Sequence, residues 1–139
     1  MQQADIRTQW EDAAPGWTRW EATVTTWMEP ATAAMLSMAG VDVGARVLDL
    51  ASGAGSQTLQ AARRVGSQGH VIASDIADTM LHHVRENARA AGLANVTTLA
   101  SAAEDLDVAA ASAVVVFTTP AANAFMAQPM QILLRHAGK

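Results

Sequence analysis

Two carboxylates and a pair of glycines stand at spacings that can do chemistry. Asp49 lies inside the apolar run 47–50, which leads directly into Gly53-Ala54-Gly55. Asp75 ends a second run, His70-Val71-Ile72-Ala73-Ser74-Asp75, 20 residues beyond Gly55. The first run, the glycine turn and a helical pattern from Ser56 to Val65 predict strand, turn and helix in that order. Glycine has no Cβ and tolerates positive φ, so backbone can approach a ligand closely, while the new helix points unpaired N–H groups above the strand. In a doubly wound sheet the acid ending the second strand sits beside that turn and can accept both hydroxyls of an adenosine ribose. An adenosine cofactor is therefore expected. A nicotinamide-binding Rossmann domain is disfavoured, because G-x-G-x-x-G started at Gly53 needs a small residue at position 58, where Thr58 stands. A phosphate loop is disfavoured because G-x-x-x-x-G-K-[ST] is absent.

Five ordered pieces extend the pattern over about half the chain: Val47-Leu48-Asp49-Leu50-Ala51-Ser52-Gly53-Ala54-Gly55, Val71-Ile72-Ala73-Ser74-Asp75-Ile76, Met80-Leu81, Ala90-Ala91-Gly92-Leu93-Ala94-Asn95-Val96 and Ala103-Glu104-Asp105-Leu106. In these pieces the chain resembles the class I S-adenosylmethionine-dependent methyltransferases, closest to the branch of ubiquinone and menaquinone biosynthesis C-methyltransferases and their small-molecule relatives. The resemblance implies an α/β fold, Rossmann-like and doubly wound, with a mainly parallel sheet and N-terminal helices. It implies S-adenosylmethionine as cofactor and a small-molecule methyl acceptor. By the same resemblance, Asp49 and the backbone of Ala51, Ser52 and Gly53 surround the methionine end of the cofactor, and Gly55 opens the helix. Asp75 takes the ribose, Ile76 packs against the adenine face, and Met80 reaches the adenine rim. Relatives end the third strand with Gly-Asp-Ala, whereas this chain has Ser101-Ala102-Ala103. Ala102 cannot accept the adenine amino group. The N–H of Ala103 can still meet the ring, and Glu104 is the substitute acid.

No residue has the spacing of a dedicated catalytic base, and none is expected to be needed unless the acceptor arrives protonated, since a sulfonium is already a strong electrophile. The alternative function is a non-catalytic binding or interaction protein that retains the cofactor half of the fold.

The elements that must position these residues follow from periodicity. Residues 1–40 carry all four tryptophans and read as helices broken at Pro15 and Pro30, with Trp17, Trp20, Val24 and Trp27 on one face and Gly40 as a left-handed terminator. By resemblance this segment is a lid over a domain spanning residues 41–139, with Trp17 and Trp20 lining the acceptor pocket. Leu59, Ala62 and Val65 are expected inward on the helix after the glycine turn, with Arg63 and Arg64 solvated. Asp78 is the expected cap of a helix whose apolar face is Met80, Leu81, Val84, Ala88 and Ala91, ending at Gly92. Residues 96–100 read as the third strand.

After Asp107 the chain departs from its relatives. Their fourth strand, acceptor-facing loop, following helix and Pro-Gly-Gly turn have no counterpart, either because an internal block was lost from the gene or because this sequence omits it. Residues 114–117 are expected to take the vacant place beside the first strand. A last helix is expected over 129–138, and the family's two closing strands are absent. Unpaired sheet edges make a homo-oligomer the expected assembly.

Composition narrows the partners. A formal charge of −4 without a Lys/Arg run argues against nucleic acid. The absence of cysteine excludes disulfides, thiolate metal sites and a cysteine nucleophile. His70, His82, His83 and His136 have no metal-ligand spacing, so no metal is expected. No apolar run reaches the roughly 20 residues of a membrane span, and the expected location is the cytoplasm. Half the residues are apolar but only 4% are aromatic, which predicts an alanine-rich core built mostly from Ala, Val, Leu and Met.

Overall fold

The computed structural model describes residues 3–108, 111 and 113–115. It begins with a long helix, α1 (Gln3–Met38), and continues β1 (Arg46–Leu50), α2 (Ser56–Val65), β2 (His70–Asp75), α3 (Asp78–Ala90), β3 (Val96–Ala100), a single 3-10 turn (Ala103–Asp105) and β4 (Ala113–Val115). The four strands form one sheet in the order β3-β2-β1-β4, and every pairing is parallel. This is the expected Rossmann-like arrangement, and β4 takes the place beside β1 that the sequence leaves vacant. Val116, Phe117 and the helix expected over 129–138 lie outside the described residues.

Register shows how the main core forms. Val47 stands opposite Val71, and Val71 opposite Val96, while Asp49 pairs with Ala73 on one side and Val115 on the other. Side chains alternate along a strand, so these residues share one face of the sheet. Against that face α2 contributes Ala61, Ala62 and Val65, and α3 contributes Leu81 and Val84. Small residues let the helices lie close to the strands. The inward face of α2 differs from the expected one at one position: Ala61 is fully buried, while Leu59 is only partly so. The end of α2 is not simply solvated either, because Arg64 donates to the Ser37 hydroxyl at 3.0 Å and stands 4.0 Å from Asp42.

Two expectations about helix ends need correction. Pro15 and Pro30 do not break the N-terminal segment; both lie inside one continuous helix. A proline removes one backbone hydrogen bond and strains the turn before it, at a cost of about 3 kcal/mol. Here tertiary contacts on both sides of each proline hold the axis, with Ala14 fully buried and Met28 and Leu36 nearly so. Asp78 does not cap α3 with its side chain. The Asp75 carboxylate performs that service instead, accepting the Ala77 N–H at 2.9 Å, and Asp78 pairs with Arg85 at 3.7 Å. Gly40 behaves as expected. It takes φ +66, and Val41 N–H reaches back to the Leu36 carbonyl at 3.0 Å, closing the end of α1.

Candidate cofactor site

Parallel strands all present their C-terminal ends on one side, and in an open α/β sheet ligands collect there, where the strand order changes direction. In this chain that reversal lies between β1 and β4. The turns after β1, β2 and β3 and the overlying face of α1 enclose a cavity of about 510 Å³ at that end.

The β1 turn is held by specific bonds. Ser52 N–H donates to the Ser74 carbonyl at 3.0 Å and Gly55 N–H to the Ser52 carbonyl at 3.1 Å. Gly55 has φ +95, and a Cβ there would sit 2.9 Å from Cγ2 of Val84, so only glycine lets α2 start this close to α3. Gly53 also has positive φ, but a Cβ built on it meets nothing within 4 Å. Its bare backbone faces open cavity, as a surface approached by a ligand would. Ala51 adopts φ +54 without glycine's freedom, which is local strain at the cavity wall.

Asp75 and the glycine turn lie side by side. Oδ2 of Asp75 accepts the Gly53 N–H at 3.0 Å while Oδ1 accepts the Ala77 N–H at 2.9 Å. An ionised carboxylate offers about four acceptor positions. Two remain for a ligand, the number a ribose diol uses.

Asp49 is in a different situation. Its side chain is fully buried and does not line the cavity. Oδ1 accepts from Gln57 Nε2 at 2.8 Å and Oδ2 from the Thr58 hydroxyl at 2.5 Å. Burial raises its pKa from the ordinary 3.8 to about 6, with Asp75 adding repulsion and the two hydrogen bonds opposing. The Asp49 carboxylate thus faces α2 rather than the cavity that the sequence reading assigns it to. It points to the helix side of the sheet and anchors the first turn of α2. Thr58, which argued against a dinucleotide site, is half of that anchor.

The remaining strand-end residues gather as expected. Ala51, Ser52, Gly53, Gly55, Asp75, Ile76, Met80, Ala102, Ala103 and Glu104 all line the cavity. Ser101 N–H bonds the Asp75 carbonyl at 3.0 Å and so joins the β3 turn to β2.

The opposite wall is α1, where the tryptophans divide. Trp17 lines the cavity and packs against the cluster formed by Ala14, Ala77 and Met80, as Ala54 also does. Trp20 does not line it; the residue is 52% exposed, with the Arg19 guanidinium 5.8 Å from the centre of its ring. Three residues turn a helix by about 300°, so Trp20 is displaced by about 60° from Trp17, enough to leave a narrow inward stripe. Ile6, Trp10, Glu21, Val24, Thr25 and Met28 complete that wall. Sequence reasoning missed Trp10 because it divided the helix at Pro15, and missed Glu21 because it traced the inward face through the tryptophans and Val24 and not through a charged residue. Continued through the proline, the spacing 6, 10, 17, 21, 24, 28 would have found them.

Side chains fasten α1 to α3. Glu11 accepts from both the hydroxyl and the backbone N–H of Thr79, and the hydroxyl bond above all holds Glu11 below its ordinary carboxylate value. Asn87 Nδ2 donates to Glu21 Oε1 at 2.8 Å and approaches the Ala54 carbonyl at 3.4 Å, linking α1 to the glycine turn. Among the described residues, the cavity wall holds the carboxylates Glu21, Asp75 and Glu104 and no lysine or arginine. It suits a ligand that carries positive charge.

A family described as "Methyltransferase domain" matches residues 41–136. The chain belongs to this methyltransferase family. The ubiquinone/menaquinone biosynthesis C-methyltransferase UbiE of Idiomarina loihiensis is 42% identical over 72 residues, 51% of this chain and 29% of that protein. The chain thus spans under a third of the length of this relative. Among solved structures, an RNA methyltransferase from Salinibacter ruber in complex with S-adenosyl-L-homocysteine superposes with a TM-score of 0.60 and 28% identity, over 76% of this chain and 65% of that one. An S-adenosylmethionine-dependent O-methyltransferase from Thermotoga maritima superposes with a TM-score of 0.58 and 26% identity, over 63% and 34%. The methyl donor of the family is S-adenosylmethionine, and the cavity of this methyltransferase domain fits it: bare backbone at Gly53, a carboxylate beside it, and a cation-favouring wall. No helix among the described residues is long and apolar enough to cross a membrane.

Proposed function

We propose that the chain binds S-adenosylmethionine in the strand-end cavity and transfers its methyl group to a small-molecule acceptor. The observation that carries the reading is the Asp75 carboxylate bonded to Gly53 N–H, with two acceptor positions left for the ribose diol. Ile76, Met80, Ala102, Ala103 and Glu104 form the adenine end, and Ala51, Ser52, Gly53 and Gly55 the end nearer the sulfonium. When bound, S-adenosylmethionine supplies an electrophilic methyl, so the protein's share is to align the acceptor, keep water out and stabilise positive charge. Residues 1–40 act as the lid over domain 41–139, and the apolar stripe of α1 is the natural acceptor wall. A net charge of −4 and the acidic cavity favour a small acceptor over the RNA named for one structural neighbour.

One observation favours a second reading, a protein that binds the cofactor without turning it over. Between β3 and β4 the described residues form only a 3-10 turn, where a parallel connection ordinarily carries a helix. Titration calorimetry with S-adenosylhomocysteine tests the binding common to both readings. Transfer from a labelled donor to a panel of quinols, phenols and amines, with RNA as comparison, tests the first alone. Tight binding with no transfer to any small acceptor would establish the second reading, and transfer to RNA alone would remove the small-molecule assignment.

A further inference from the structure

The methionine end of the proposed cofactor carries an ammonium group, and an unpaired ammonium inside a half-enclosed cavity is costly. The acid inside the first strand is the residue that sequence resemblance offers for it. In this chain Asp49 is sealed on the helix side of the sheet, with one oxygen held by Gln57 and the other by Thr58. Three carboxylates remain in the cavity wall. Glu104 belongs to the β3 turn, and β3 lies two strands from β1. Asp75 already accepts two backbone N–H groups and faces the ribose position. Glu21 is the third. Asn87 holds its Oε1 at 2.8 Å and also approaches the Ala54 carbonyl, so this carboxylate is fixed beside the glycine turn. Among the described residues its Oε2 has no hydrogen-bond partner.

We propose that Glu21, reaching across from α1, is the carboxylate that receives the ammonium of the cofactor's amino-acid end. This rests on the reading of the cavity as an S-adenosylmethionine site. The helix that covers the cavity thereby supplies part of the cofactor site as well as the acceptor wall, and Asn87 is the positioning residue that sets Glu21. Binding of the amino-acid end and docking of α1 become one event, since the ammonium bridges the helix and the glycine turn.

The test uses two ligands that share an adenosine. S-adenosylhomocysteine carries the ammonium, and 5′-methylthioadenosine lacks the amino-acid end. Titration calorimetry on the full chain and on Glu21→Gln is expected to show at least a tenfold loss of S-adenosylhomocysteine affinity with 5′-methylthioadenosine changed less than twofold. Glu21→Asp keeps the charge and is expected to lose less than Glu21→Gln. Asp49→Asn is expected to move both ligands alike. Unchanged S-adenosylhomocysteine affinity in Glu21→Gln, or an equal loss for both ligands, overturns the assignment while leaving the cofactor site standing. Selective loss in Asp49→Asn overturns it in favour of Asp49. A wild-type chain that binds neither ligand sinks the cofactor reading itself, and the Glu21 assignment with it.

Discussion

The two walls of the cavity are held by different forces. The strand-end wall is tied mainly by backbone hydrogen bonds between neighbouring turns, Ser52 N–H to the Ser74 carbonyl and Ser101 N–H to the Asp75 carbonyl, to which the Asp75 carboxylate adds a side-chain tie by accepting the Gly53 N–H. The α1 wall is attached by side chains, chiefly Glu11 to Thr79 and Glu21 to Asn87, and by apolar contacts around Ala14 and Trp17. Backbone bonds place atoms irrespective of most substitutions, whereas side-chain attachment can open and close and can be tuned residue by residue. A site that needs a fixed cradle for a cofactor and an adjustable cover for an acceptor is well served by this division.

The comparison breaks most sharply at Asp75. Asp75→Ala removes an acceptor shared by the turn and the ligand, and two hydrogen bonds to a charged group amount to about 3–6 kcal/mol. At least a hundredfold loss of S-adenosylhomocysteine affinity is expected by calorimetry; unaltered affinity would mean that the strand-end wall does not hold the ribose. Next is Gly55→Ala, which places a Cβ against Val84 at positive φ. Thermal denaturation is expected to show a loss of about 2–4 kcal/mol, and pairing it with Val84→Ala should recover the clash but not the backbone strain.

Asp49 sharpens the comparison through pH. Its folded pKa, about 6, lies above the ordinary 3.8. The folded state therefore holds a proton that the unfolded chain releases sooner. The resulting stabilisation is complete below about pH 4 and is lost as pH rises through about 6, a difference of at most about 3 kcal/mol. Asp49→Asn removes this dependence, so urea unfolding should show the variant gaining on wild type between pH 4 and pH 7.5. A constant difference across that range would show that folding does not raise the pKa of Asp49.

Smaller effects belong to α1. Trp17→Ala is expected to weaken S-adenosylhomocysteine binding several-fold, since Trp17 lines the cavity beside the cluster of Ala14, Ala77 and Met80, whereas Trp20→Ala should leave it within twofold. Equal effects would mean that the inward stripe of α1 is assigned wrongly. Smallest of all, Thr79→Ala is expected to speed amide hydrogen exchange in the first half of α1 without changing β1 and β2. Exchange rising equally in the strands would show that the two walls are not separately fastened.

Much of the strand-end wall was legible because its signals are local. A glycine turn after an apolar run and an acid ending the next run need only strand and helix periods to be recognised, and β2 and β3 begin and end at the expected residues. The α1 wall was harder to read. Pro15 and Pro30 are breakers by local rules, yet both lie inside one helix whose Ala14, Met28 and Leu36 are buried and whose Glu11 and Glu21 bond to α3. Sequence alone determined the order of elements, the parallel sheet and the partnership of Asp75 with the glycine turn, because nearest-neighbour geometry along a β-α-β path leaves few other arrangements. Only the tertiary structure decided which side of the sheet Asp49 faces, which indoles turn inward and that Glu21 arrives at the turn. Those depend on the pitch of one long helix and the pleat of one strand, where a shift of a single residue exchanges inside for outside.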